Sequence, residues 1–179
     1  RDQPRSRGLG DVYKRQTKNR YWQTMLSAAL EPPLTMKFGM FVLPSWPQQD
    51  SSHQGRLYHE MIEQIQYAEE LGFESVWLAE HHFTRFGIVP SALPLATYVA
   101  AATKKIRIGT GVSVLNFHDP VFMAEETAML DLLSNGRFDF GIGRGQVVYE
   151  YANFKVDYET RTQRFNEIVD IILGLWSTP

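Results

Sequence analysis

From Met36 onward, short apolar runs of strand character alternate with longer runs of helical period, a rhythm that confines the chain to an α/β fold built on a parallel sheet. Residues 37–43 (KFGMFVL) read as a first strand, closed by Pro44, Ser45, Trp46 and Pro47, a cluster that ends regular structure. Residues 56–71 form a helix with Leu57, Tyr58, Met61, Ile62, Ile65, Ala68 and Leu71 on one stripe. Gly72 follows, where a left-handed residue stops a helix. Residues 75–79 (SVWLA) are apolar on both faces, as a covered parallel strand should be. Residues 91–103 form a second helix with almost no polar face. Residues 106–115 (IRIGTGVSVL) form a third strand, interrupted by Gly109 and Gly111. Asp119 and Pro120 supply the cap and first residue of a third helix, which ends at Asn135-Gly136. Residues 137–142 and 161–176 complete a fourth strand and a fourth helix.

An open doubly wound sheet places a glycine fingerprint after its first strand; here Pro-Ser-Trp-Pro stands in that place. A (β/α)₈ barrel needs about 250 residues, so the expected fold is α/β, a TIM-type (β/α)₈ barrel of which the first four βα units are present. The chain then stops about halfway around, and its first and fourth strands each lack a neighbour.

Residues 1–35 carry seven basic against three acidic residues, whereas residues 36–179 carry 11 basic and 17 acidic. The leader has no periodicity and reads as disordered. We take it as non-native and outside the fold, with Met36 as the start; a transit peptide or a polyanion-binding arm are the alternatives. The overall charge of −2 points to no nucleic-acid or membrane partner. The chain has no cysteine, which excludes thiolate metal sites and cysteine nucleophiles and fits a cytoplasmic location.

Barrel active sites gather at the carboxyl ends of the strands, and three clusters of unusual residues fall there. Glu80-His81-His82 follows the second strand, Gly109-Thr110-Gly111-Val112 ends the third, and Gly143-Arg144-Gly145 follows the fourth. Adjacent histidines on an extended segment point to opposite faces and do not grip one ion, so no metal site is expected. His81 is the candidate proton carrier, since imidazole exchanges protons near neutrality. His82 is expected to hydrogen-bond beneath the loop. Glu80, costly to bury alone, either orients His81 or accepts a hydrogen bond from a neighbouring strand. Arg144, between glycines, suits a phosphate or carboxylate. The small residues at Gly111-Val112 suit a flat ligand lying against the backbone. Of Phe41, Trp46, Trp77, Phe117, Tyr149 and Tyr151, most are expected to be packing. His53, His59 and His118 are read as ordinary surface or loop histidines.

MKFGMFVL, GFESVWLAEHHFTRFG, ATKKIRIGTGVSVL, HDPVFMAEETAMLDLLSNGRFDFGIGRG and ETRTQRFNEIVDIILGLW together resemble the bacterial-luciferase-like family of flavin-dependent monooxygenases in order and spacing. The resemblance implies reduced FMN delivered by a separate flavin reductase, reaction with dioxygen, and oxidation of a small organic substrate. It assigns proton transfer to His81, the flavin phosphate to Arg144, and support of the flavin ring to a bulge at Gly111-Val112, often with a cis peptide. Glu80 is grouped with the cofactor-binding residues. The light-emitting chain of the family has cysteine where Gly143 stands here, so light emission is not implied. The helices 91–103 and 119–133 suit the helical dimer interface of the family, in a homo- or heterodimer. Three other readings remain open. One is a deazaflavin-dependent oxidoreductase of the same superfamily, and another is a non-catalytic flavin-binding protein. The third is a half-domain that binds nothing by itself.

Overall fold

A computed structural model describes residues 36–46 and 54–177. The leader, His53 and Pro47 lie outside the described residues. The elements run β1 (Gly39–Val42), α1 (Gln54–Glu70), β2 (Ser75–Leu78), α2 (Ala92–Ala102), β3 (Arg107–Thr110), β4 (Ser113–Val114), a 3₁₀ turn (Leu115–Phe117), α3 (Pro120–Leu133), β5 (Phe138–Asp139), β6 (Ile142–Gly143), α4 (Val148–Phe154) and α5 (Arg161–Ser177). The main sheet is parallel, in the order β1-β2-β3-β5, and β4 pairs with β6 in a second parallel pair. Among the described residues β1 and β5 each have one strand neighbour, as the sequence leads one to expect. Among the same residues no helix is long and apolar enough to cross a membrane.

The helices pack on one face of the sheet. Val42, Val76, Leu78, Ile108 and Phe138 meet Ile65, Ala96, Val99, Met123, Ile168 and Trp176 in a single buried core. Alanines at 92, 96 and 100 let α2 lie close to its neighbours. The helix ends are built as the sequence indicates. After α1, Gly72 (φ +83°) donates to Glu69 O and Phe73 to Ala68 O, the pairing that satisfies the last carbonyls of a helix. The Asp119 side chain accepts from Val121 and Phe122 at the start of α3. Asn135 and Gly136, both at positive φ, close its other end. Two charged side chains tie the turns between elements. Glu69 accepts from the backbone N–H groups of Lys104, Lys105 and Ile106 at 2.9, 2.6 and 2.8 Å. Arg137 donates to the carbonyls of Ala100, Ile106 and Ser134.

The opposite face of the sheet carries Phe41, Trp77, Gly109 and Asp139 side by side in register. The Trp77 ring lies flat across β3, and a Cβ at Gly109 would come 2.4 Å from it, closer than any side chain can sit. Arg107 and Asp139 form a two-pronged ion pair on this face, which suits the fork of a guanidinium.

Three expectations need correction. The third strand is not continuous over 106–115 but breaks between β3 and β4, at the cis Gly111–Val112 peptide. The fourth strand, expected over 137–142, is two residue pairs, β5 and β6. The cause is a contact between strands: the Thr110 hydroxyl donates to Gly141 O at 2.7 Å and accepts from Gly141 N–H at 3.0 Å, so a side chain replaces the backbone ladder at that level. The strands resume one step further, where Ser113 N–H donates to Gly141 O. Finally, α4 carries no helical signal in the sequence, because seven residues are too few to show a helical stripe.

Candidate functional site

The carboxyl ends of the strands bring the three expected clusters to one rim, because β2, β3 and β5 are adjacent and point the same way. Glu80 sits two residues beyond β2 and is 4% exposed. Its Oε1 accepts from His82 Nε2 at 3.0 Å and from His118 Nε2 at 2.8 Å. Burial on its own would raise the Glu80 carboxyl; the hydrogen bonds from His118 and His82 outweigh it and hold the group below its ordinary range. Burial would depress the His118 imidazole, but Glu80, bonded and charged, lifts it above its ordinary value, with a smaller push from Glu126. Glu80 is therefore a carboxylate that both histidines approach with an N–H. Glu80 does not orient His81. The reading of His118 as an ordinary loop histidine is also corrected: it is half-buried and locks the segment after β4 to the end of β2.

This pair ties stability to pH in two directions. Glu80 contributes stability at neutral pH that is lost as pH falls through its lowered pKa. His118 contributes stability that is complete below its ordinary value of 6.5 and disappears as pH rises through its raised one. Urea denaturation between about pH 6 and pH 9 will show that alkaline loss, and His118→Ala will flatten it.

His81 has a different partner. Its Nδ1 lies 3.5 Å from Glu150 Oε1, and Glu150, 2% exposed in α4, also accepts from the His82 backbone N–H at 3.0 Å. His81 is half-exposed, and its ring packs so tightly on Gly87 that a Cβ there would come within 2.8 Å. His82 is buried against Phe117 and Phe154, with ring centroids at 5.6 and 4.7 Å. Sequence reasoning missed Glu150: an isolated acid in an unrecognised short helix, 68 residues from His82, leaves no signal that pattern reading detects. Among the described residues no group of three His, Asp or Glu side chains is arranged to hold a metal ion.

On the other side of the rim, Val112 stands 38% exposed next to the cis peptide, facing Gly143. A Cβ on Gly143 would lie 2.5 Å from Val112 Cγ2, so glycine is the residue that leaves this surface open. Arg144 is exposed, and its Nη1 donates to Thr162 Oγ1 at 2.8 Å in the first turn of α5. The Arg144 backbone is held from below: its carbonyl accepts from Asn116 Nδ2 at 3.0 Å and from the Tyr151 hydroxyl. The fully buried Asn116 Nδ2 also lies 2.7 Å from the Tyr151 hydroxyl and 2.9 Å from Arg161 O. Of the six aromatics singled out above, Tyr151 is buried and Phe41 is 59% exposed.

The family model for luciferase-like monooxygenases matches residues 36–179. The oxygenase component of the flavin-dependent trigonelline monooxygenase of Acinetobacter baylyi is 38% identical over 143 residues, 79% of this chain and 39% of that protein. The alkanal monooxygenase alpha chain of Photorhabdus laumondii is 41% identical over 122 residues, 68% of this chain and 33% of its own. The crystal structure of the monooxygenase RslO1 from Streptomyces bottropensis superposes with a TM-score of 0.72 at 33% identity, over 76% of this chain and 42% of that one. The chain thus spans about two fifths or less of the length of these relatives. A match that takes in every described element places the chain in the luciferase-like monooxygenase family.

Proposed function

We propose that the chain is the first half of a (β/α)₈ flavin-dependent monooxygenase that uses reduced FMN and dioxygen to oxidise a small organic molecule. The observation that carries this reading is the glycine-lined rim beside an exposed arginine. Gly143 leaves the surface at Val112 open, as a flat ring laid against backbone requires. The Arg144 guanidinium is steadied over the first turn of α5, where the charge and the helix terminus both favour an anion. The residues therefore fit a flavin, with Arg144 at its phosphate and Gly111-Val112 beneath its ring. Bound reduced FMN would supply the two electrons that divide dioxygen, one oxygen going to substrate and the other leaving as water. His81 would hold and deliver the proton at that centre, oriented by Glu150. Glu80, fixed by His82 and His118, would keep the strand end in place.

The trigonelline relative is an oxygenase component, and by that likeness a separate reductase would deliver the reduced flavin. The exposed apolar residues of α2 and α3, Tyr98, Phe122, Met129 and Leu133, would meet a second subunit. The test is to load the protein with reduced FMN without oxygen, add dioxygen, and follow flavin absorbance. Reoxidation will follow a different course from that of free reduced FMN. A course identical to free FMN, with uptake of a reduced deazaflavin instead, would replace the reading with hydride transfer.

A further inference from the structure

The loop from His81 to Pro90 is anchored along its length. Trp46 N–H donates to Arg85 O at 2.7 Å, and the N–H groups of Gly87 and Ile88 both donate to Pro44 O, at 3.0 and 2.9 Å. Ser45 and Phe86 form an antiparallel bridge, and the Tyr58 hydroxyl donates to Ile88 O. Along this loop runs an open groove of about 430 Å³ whose walls include Tyr58, His81, Phe83, Arg85, Ile88 and Pro90. That volume is the scale of a small-molecule site. Phe83, 62% exposed, is held at φ +54°, a conformation that costs a bulky residue energy and is retained where the surroundings enforce it. Its ring rests on Phe154 at 5.1 Å. No residue lining the groove is acidic, and Arg85 is the lining residue with a permanent charge.

We infer that this groove takes the substrate as a small organic anion, a carboxylate or sulfonate on a compact apolar body, with Arg85 as the counter-charge. The inference rests on the proposed reading, in which His81 faces the reacting centre. Phe83, Ile88 and Pro90 give the body an apolar wall, while the guanidinium fork matches the two oxygens of the anion. A neutral molecule of the same shape offers the exposed guanidinium no counter-charge, so the groove discriminates by charge as well as by contact.

Benzoate and its neutral isostere benzamide are the probes, titrated by ligand-observed NMR into the full chain, its Arg85→Gln form and its Arg85→Lys form. Benzoate will bind about tenfold or more tightly than benzamide. Arg85→Gln will abolish the difference, and Arg85→Lys will keep part of it. Equal binding of the two probes, or a preference that survives Arg85→Gln, overturns the inference. Uptake of FMN by the unsubstituted chain is measured separately. Charge preference without FMN uptake refutes the flavin reading and leaves the anion groove standing; FMN uptake without charge preference does the reverse.

Discussion

Replacing Glu80 with alanine will destabilise the fold by about 3–5 kcal/mol, the range for removing one partner of a buried charged pair. Glu80 is almost wholly enclosed, and its Oε1 is the acceptor for two imidazole N–H groups. Without it, buried His82 keeps a polar ring among Phe117 and Phe154 with no carboxylate to meet it. His118 loses the interaction that lifts its pKa. Glu80→Gln will fall between alanine and the native residue, since an amide oxygen still accepts a hydrogen bond but carries no charge. His118→Ala will cost less than Glu80→Ala, because His118 is partly solvated and the Glu80–His82 bond survives its loss. Urea denaturation followed by tryptophan fluorescence measures all three.

On the function proposed above, His81→Asn will lower turnover of the complete flavin enzyme by about 10²–10⁴-fold, the usual contribution of a positioned acid–base group, and will change flavin affinity far less. The ring is fixed on one side by Glu150 and on the other by the close approach of Gly87, and it lines the groove next to Arg85. On the same proposal Glu150, 3.5 Å from His81 Nδ1, would act through His81 as a positioning residue. Glu150→Gln will therefore lower kcat more than it raises KM, whereas a purely structural role would move neither selectively. Paired kcat and KM measurements across pH separate the two.

Features set by near neighbours in the chain were legible before any coordinates. Gly72, Asp119-Pro120 and Asn135-Gly136 mark helix ends through local backbone preferences, and the structure places each where the sequence indicates. The alternation of strand and helix implied a parallel sheet for the same reason. Features that depend on distant partners were hidden. Glu80 finds His118 across 38 residues and His82 finds Glu150 across 68, and no local pattern announces either meeting. The broken third and fourth strands belong with these: Thr110 outcompetes the ladder only because Gly141 is brought beside it from another strand. The rim itself was legible as three clusters at strand ends. The network that holds it was not.

Equilibrium binding of FMN to the full chain, with and without Arg144→Ala, tests the flavin site most directly. A site at this rim predicts saturable binding in the micromolar range that Arg144→Ala weakens about tenfold or more. No binding of either oxidised or reduced FMN, or binding that Arg144→Ala leaves unchanged, would contradict it.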